Sequence, residues 1–132
     1  MVKVGLLFSH KLTDVQKEEL EKLYGIQKYL YMPDNLRRIW ANVPPDIESV
    51  VHWLNPVLEW VDKNFDKGDY LLIQGDFGAV FYTVDYAFSK GLLPLYATTE
   101  RVHYEEMRGD TLFVNKIFRH VRFRVYERVE NR

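Results

Sequence analysis

Three short segments of the chain carry side chains that bind phosphate or move protons. Hydroxyl, guanidinium and glycine-flanked backbone N–H groups are donors to phosphate oxygens, and histidine ordinarily titrates near neutrality. Each segment follows a predicted buried strand: Ser9–Lys11, Gln74–Gly78 and Thr98–Arg101. Because the carboxyl ends of parallel strands open onto one edge of a sheet, we expect the three segments to meet there.

The turn Gln74–Ala79 is the strongest of these signals. Two glycines three positions apart let the backbone approach a ligand closely, and the helix that follows offers free N–H groups. The turn is not a P-loop, because no Gly-Lys-Ser/Thr follows, and it lacks the other kinase signatures. A tight strand-to-helix turn without a ligand is the alternative. The candidate residues are Gln74, Gly75, Asp76, Phe77 and Gly78.

The other two segments supply hydroxyls, an imidazole and a guanidinium. Ser9 and His10 could polarise a phosphate or a hydroxyl, and Thr98 and Thr99 could donate to phosphate oxygens beside Arg101. Each segment has a plainer interpretation. Ser9 could cap the next helix with His10 solvated, and the two threonines could form a capping turn beside one surface arginine.

The last predicted strand carries a basic and aromatic pattern. Period-two alternation would place the even positions on one face and three apolar residues on the other. A basic face with aromatic edges suits phosphates and stacked bases. The alternative is a solvated strand whose arginines pair with Glu105 or Glu106. The even positions are Phe118, His120, Arg122, Arg124 and Tyr126, and the apolar ones are Val121, Phe123 and Val125.

Composition and length limit the classes of protein that remain. The 132 residues fit one domain over 1–132, and a content of 47% hydrophobic and 28% charged residues excludes a disordered chain. Cysteine is absent, which excludes disulfides and thiolate nucleophiles. The net charge of −1 gives no global attraction to nucleic acid or to anionic membranes. The four histidines show no metal-ligand spacing, so we expect no metal site.

The elements that position these residues alternate between strand and helix. Buried strands are predicted at Val2–Phe8, Gln27–Met32, Tyr70–Ile73 and Leu92–Ala97, with helices between them. This order predicts an α/β fold with a mostly parallel sheet flanked by helices. After Thr98-Thr99 the pattern changes. Val102–Glu106, a turn at Arg108-Gly109-Asp110 and Thr111–Val129 predict a C-terminal β-hairpin, or a long final strand with a β-arm, that adds antiparallel strands to the edge of the sheet.

Local signals mark where the helices begin and end. Thr13 and Gln16 form a capping-box pattern, and Gly25 fits the end of the same helix. Asp34 is predicted to cap a short second helix. Pro56 interrupts the longest apolar pattern, which predicts either a kink or a restart with Asn55 as the cap. The N-terminus lacks a cleavage-site pattern, and no apolar run approaches the ~20 residues of a membrane helix, so we expect a cytoplasmic location.

Five segments of the chain resemble a known family. The similar segments, in order, are Leu6–Thr13, Val57–Val61, Gly68–Phe81, Lys90–Val102 and Phe118–Tyr126. They resemble a small CRISPR-associated accessory family found beside type III CRISPR systems and grouped with the stand-alone ring nucleases, relatives of the Rossmann-fold CARF sensors. The blocks IQGDFGA and PLYATTER are the most specific part of the resemblance.

The resemblance implies a Rossmann-like, CARF-like domain that switches off type III antiviral signalling. Proteins of this kind bind a cyclic oligoadenylate across a symmetric homodimer and cut it without a metal or another cofactor. The family looks specific for cyclic tetraadenylate, with no membrane or long nucleic acid as a partner. A sensor or sponge that holds the ring without cutting it is one alternative, and a protein-interaction module is another.

The candidate residues are compatible with this chemistry. A ribose 2′-OH attacks the adjacent phosphate, so the protein must align that hydroxyl and stabilise charge on the phosphoryl oxygens. His10 or His120 could move the proton, Asp76 could orient the 2′-OH or an adenine amine, and Arg101 could pair with phosphate. The predicted ligand contacts are Ser9, Gln74, Gly75, Phe77, Gly78, Thr98, Thr99 and Arg122.

Overall fold

A five-stranded sheet in the order β2-β1-β3-β4-β5 forms the centre of the computed structural model, which describes residues 1–129. The first four strands are parallel, and β5 is antiparallel to β4. The predicted α/β fold with an antiparallel extension is therefore confirmed. The strands are β1 (Lys3–Leu7), β2 (Lys28–Tyr31), β3 (Tyr70–Ile73), β4 (Leu93–Arg108) and β5 (Thr111–Val125), and the helices are α1 (Asp14–Tyr24), α2 (Asp34–Ala41), α3 (Val51–Asn64) and α4 (Phe77–Ser89).

Two apolar layers cover the two faces of the sheet. On one face α1 packs against a layer that contains Leu6, Leu72 and Phe123. On the other face α2, α3 and α4 pack against Leu71 and Ile73. Successive residues of β3 thus alternate between the layers, as the pleat of a strand requires.

The order in which the strands are added to the sheet reverses at β1. From β1 the chain moves outward to β2, and it then returns to place β3 on the other side of β1. The carboxyl ends of β1 and β3 therefore border a topological switch point, which is where open α/β sheets bind ligands.

The helix signals have mixed outcomes. The capping box is confirmed, since Thr13 and Gln16 satisfy each other's backbone N–H groups. The predicted cap at Asp34 is wrong, because Pro33 occupies the cap position and Asp34 is the first helical residue. Pro56 lies inside one continuous helix, so the helix does not restart there. None of the helices within residues 1–129 has the length and apolarity to cross a membrane.

The largest difference from the sequence prediction is the length of β4. Separate strands are predicted at Leu92–Ala97 and Val102–Glu106, whereas β4 is continuous from Leu93 to Arg108. It pairs with β5 through a turn at Gly109 and Asp110, where the sequence predicts one. The polar segment Thr98–Arg101 is therefore part of a strand rather than a loop. We call residues 99–120 the arm, since they continue the β4–β5 pair beyond the parallel strands.

A β-bulge overturns the predicted alternation of the last strand. Thr98 pairs with Arg122 and Thr99 pairs with His120, so Val121 is an extra residue without a partner. The bulge inverts the faces on its two sides. His120 consequently shares the α1 face with Phe123, while Arg122 and Arg124 point to the opposite face.

Two hydrogen-bonded tyrosines should make the protein sensitive to alkaline pH. Burial raises the pKa of Tyr29 and of Tyr86 to about 12, and hydrogen bonds to Glu21 and Asp62 add to the effect. A tyrosine in the unfolded chain titrates near 10. This stabilisation should be complete below pH 10 and decline as pH rises toward 12. Urea midpoints between pH 9 and 12 should fall less steeply in Tyr29→Phe and Tyr86→Phe, and unchanged slopes would contradict the assignment.

Candidate ligand-binding site

A crevice at the switch point contains two of the three predicted segments. Ser9, which follows β1, and Gln74, Gly75 and Asp76, which follow β3, line a cavity of about 320 Å³ together with residues of α2. We call this cavity the switch-point crevice. Its position at the carboxyl ends of adjacent parallel strands is the one that the sequence predicts for a ligand.

Gln74 ties the three central strands together at this edge. Its backbone N–H donates to the Leu7 carbonyl at 3.1 Å. Its side-chain Oε1 accepts a hydrogen bond of 3.2 Å from the backbone N–H of Ala97. Gln74 therefore holds β1, β3 and β4 in register at the floor of the crevice, and a ligand would meet a side chain that is already positioned.

Trp40 is a residue of the crevice that the sequence analysis missed. Its indole Nε1–H donates to the Gln74 carbonyl at 2.8 Å, and its side chain closes one wall. A Cβ added at Gly75 would lie 2.9 Å from Trp40 Nε1, closer than real Cβ atoms approach. Position 75 therefore has no room for a side chain while the Trp40 indole occupies its present place. The sequence shows Trp40 on a short amphipathic helix, but nothing in it points to Gly75.

Gly75→Ala should destabilise the protein by about 1–3 kcal/mol, the usual range for overpacking a close contact. The new methyl group displaces the indole and weakens its hydrogen bond to Gln74. Urea unfolding followed by tryptophan fluorescence measures the loss. Gly78→Ala is the matched control, since its Cβ would meet only ordinary contacts and alanine favours the helix. Equal losses in both variants would contradict this account of Gly75.

Asp76 begins α4 and leaves part of its carboxylate open. Its Oδ2 accepts a hydrogen bond of 3.0 Å from the Ala79 N–H, which makes it the N-cap of the helix. A carboxylate in this position repels phosphate, so it fits better as an acceptor from a ribose hydroxyl or an adenine amine. Phe77 follows with 94% of its surface exposed, and Gly78 lies in the first turn.

The β1 side of the crevice is open to solvent. Ser9 and His10 are both exposed, and the His10 ring packs edge-on against Phe8 at 6.2 Å between centroids. Ser9 also borders a neighbouring cavity of about 410 Å³ whose wall includes Asp34, Arg37 and Arg38 of α2, with Arg37 paired to Asp34. These arginines are not among the residues that the sequence predicts for the site. Their position one turn into a helix that follows β2 was the available signal, because that helix begins at the same edge of the sheet.

The third predicted segment does not join this crevice. The Thr98 hydroxyl donates to the Arg122 carbonyl at 2.8 Å and accepts from the Arg122 N–H at 3.2 Å. It therefore binds the backbone beside the β-bulge. Thr99 points to the opposite face, where it pairs with His120. Arg101 lies on the arm with its guanidinium 5.4 Å from the centre of the Phe118 ring.

His120 connects the arm to α1. Its Nε2 lies 2.7 Å from Glu19 Oε1, and its Nδ1 lies 3.4 Å from the Gln16 side-chain nitrogen. The other oxygen of Glu19 accepts from the Phe123 N–H at 2.6 Å. Only 11% of the His120 side chain is exposed. These contacts engage both ring nitrogens on the α1 side of the sheet, whereas the switch-point crevice opens on the α2 side.

Comparison with known proteins places the chain in a family. The model of the family described as "Uncharacterized protein MJ1673 family" matches residues 2–124. The chain belongs to this family. It is 40% identical over 126 residues to the protein named "Uncharacterized protein MJ1673" from Methanocaldococcus jannaschii, covering 96% of this chain and 98% of that protein. No solved structure matches the chain.

A second polar cavity lies at the outer edge of the sheet. Arg122 and Arg124 of β5 line about 570 Å³ with three tyrosines and Glu127. The Arg124 guanidinium lies 5.4 Å from the centre of the Tyr96 ring, and Arg122 Nε donates to the Phe123 carbonyl at 3.1 Å. Arg122 and Arg124 therefore share a face with Tyr96 and Tyr126, but the predicted set is divided, because the bulge places Phe118 and His120 on the opposite face. The tyrosines are Tyr24, Tyr96 and Tyr126.

Among residues 1–129, histidine and carboxylate side chains form no group of three or more that could hold a metal ion. The lining of the switch-point crevice offers the Ser9 hydroxyl, the Gln74 side chain, backbone groups of the turn after β3 and the Asp76 carboxylate.

Proposed function

We propose that this protein binds a cyclic oligoadenylate, specifically cyclic tetraadenylate, and cleaves it as a ring nuclease of type III CRISPR defence. The observation that carries the proposal is the meeting of Ser9 with Gln74–Asp76 in one crevice at the switch point. These residues belong to the segments that resemble the ring nucleases. Family membership is neutral on this point, because the names of the family and of its relative state no activity.

The proposed reaction is an internal transesterification. The ribose 2′-oxygen attacks the adjacent phosphorus, the bond to the 5′-oxygen breaks, and a 2′,3′-cyclic phosphate remains. One proton leaves the 2′-OH and one reaches the departing 5′-oxygen. His10 moves the proton, Asp76 orients the 2′-OH, and the Ser9 hydroxyl with backbone N–H groups of the turn after β3 stabilises the phosphoryl oxygens.

Two copies of the chain match the symmetry of the substrate. A ring of four nucleotides presents the same phosphate–ribose unit around its circumference, and a twofold dimer offers two copies of one half-site. A homodimer with facing crevices would therefore hold opposite sides of the ring. Cyclic tetraadenylate is the ring that this arrangement fits most simply.

Incubation of the purified protein with cyclic tetraadenylate and a chelator tests the proposal. We expect linear adenylates that end in a 2′,3′-cyclic phosphate. An intact ring after long incubation with excess protein would reject cleavage. If calorimetry then shows tight binding, the protein is a sponge or sensor. The engagement of His120 and Thr98 in structural hydrogen bonds favours this second function, since it removes two predicted donors from the chemistry.

Arg101 lies outside the crevice of its own subunit, so we expect it to contact the phosphates of a ring held between two copies. Arg101→Ala should then weaken binding of the ring or slow its cleavage by about 10- to 150-fold, because it removes a charge-assisted hydrogen bond to phosphate that contributes roughly 1.5–3 kcal/mol. Single-turnover cleavage and calorimetry measure the two effects separately. Lys22→Ala, which removes an exposed cation on α1, is the control and should change neither. Wild-type behaviour of the Arg101 variant would exclude Arg101 from the site.

A further inference from the structure

The arm exposes apolar side chains along both of its faces. Eight large hydrophobic residues, seven in the arm and one at the bulge, have between 40% and 67% of their surface exposed. Neighbouring positions along one strand point to opposite faces, so the exposed set covers the arm all round. The residues are Tyr104, Met107, Leu112, Phe113, Val114, Ile117, Phe118 and Val121.

Most of the arm lies beyond its last hydrogen bond to the rest of the protein. His120 makes that contact, to Glu19, and nine further residue pairs follow, from Glu100–Arg119 to Arg108–Thr111. At about 3.3 Å per residue these pairs extend the arm by roughly 30 Å. An isolated two-stranded hairpin is marginally stable in water, so an arm of this length and apolarity is typical of a strand pair that another surface covers.

A groove of matching character lies beside α4. It has a volume of about 780 Å³, and Tyr96 of β4 forms part of its wall. Phe77 and Phe81 stand at its edge with 94% and 79% of their surfaces exposed. The lining residues from α4 are Phe77, Val80, Phe81, Val84, Asp85 and Phe88. We call this cavity the α4 groove.

We propose that the arm of one copy of this chain lies in the α4 groove of a second copy, around a twofold axis. The exposed area supports a second copy as the occupant. A fully buried aromatic side chain contributes roughly 150–250 Å², so eight half-exposed hydrophobic residues offer an area of the order of the ~800 Å² per partner in a stable interface. Because each chain carries one arm and one groove, a twofold dimer can place each arm in the groove of the other copy.

This arrangement adds a mode of assembly to the proposed function. The identity of the ligand between the two subunits rests on that proposed function. The α4 groove and the switch-point crevice share Gln74 and Gly75, so an arm that docks in the groove lies beside the crevice of the partner subunit. Arg101, which its own crevice does not reach, would then lie between the subunits. Assembly is measured without any nucleotide, so the dimer and the nuclease activity can fail independently.

The mass of the full-length protein in solution tests the assembly. We expect a dimer by light scattering and sedimentation, and monomers for Phe113→Asp on the arm and Phe81→Asp in the groove. Leu23→Asp, which alters a 61% exposed apolar residue on α1, should remain a dimer. A monomeric wild-type protein would overturn the proposal. A dimer that survives Phe81→Asp would also overturn it, because the arms would then pair elsewhere.

Engineered cysteines test which surfaces meet. The chain has no cysteine, so a mixture of Phe113→Cys and Phe81→Cys proteins can form a mixed disulfide only between copies. Under oxidised glutathione we expect this heterodimer as the main product. A mixture of Leu23→Cys and Phe81→Cys should give at least tenfold less. Equal yields from the two mixtures, or no Phe113–Phe81 product, would overturn docking of the arm in the groove.

Discussion

His10→Ala should slow cleavage of cyclic tetraadenylate by roughly 10²- to 10⁴-fold, the usual contribution of a general acid or base. The imidazole is exposed on the residue next to Ser9, which lines the switch-point crevice, and the proposal requires it to reach the 2′-OH of a bound ring. Single-turnover cleavage with excess protein isolates the chemical step from product release. Calorimetry with the variant should show that binding of the ring persists.

His120→Ala is the matched control for this prediction. Its ring is engaged by Glu19 and Gln16 on the α1 side of the sheet, so the substitution should lower stability by about 1–3 kcal/mol and leave cleavage by the folded protein within a few-fold of wild type. If His120→Ala abolished cleavage and His10→Ala did not, the roles that we assign to the two histidines would be reversed. If neither variant slowed cleavage, catalysis would depend on alignment and electrostatics alone.

Asp69→Ala should destabilise the protein by roughly 3–5 kcal/mol, which is typical when one partner of a buried ion pair is removed. Asp69 is 4% exposed. Its carboxylate accepts from the backbone N–H groups of Lys3 at 3.1 Å and Asp66 at 2.8 Å, and it lies 3.6 Å from the Lys3 ammonium. The substitution leaves the two backbone N–H groups without their acceptor at the amino ends of β1 and β3, while the Lys3 ammonium keeps the Asn64 carbonyl at 2.6 Å. Equilibrium unfolding in urea measures the loss.

Asp66→Ala provides the comparison for Asp69, because both carboxylates contact the same ammonium. Asp66 lies 3.7 Å from Lys3 Nζ, but its side chain is 91% exposed. Water screens such a pair, so its removal should cost less than about 1 kcal/mol. Similar losses in the two variants would show that burial of Asp69 is not the source of its stabilising effect.

The sequence determined the elements whose signals are local. The apolar run of β3 has the predicted bounds, and the capping residues Thr13 and Gln16 act as the pattern predicts. The alternation of strands and helices was sufficient to predict the parallel sheet, and the sheet then accounts for the meeting of Ser9 with Gln74. These features follow from periodicity and from residues a few positions apart.

Only the tertiary structure decided the features that depend on distant contacts. His120 binds Glu19, 101 positions away, and the bulge at Val121 that permits this contact leaves no mark in a period-two pattern. Likewise, Trp40 restricts Gly75 through an approach that no spacing reveals. The continuity of β4 through Thr98–Arg101 was not predicted, because these polar residues are compatible with a loop and with an exposed strand. The cross-strand partners on β5 decide between those two states, and they lie about 20 residues further along the chain.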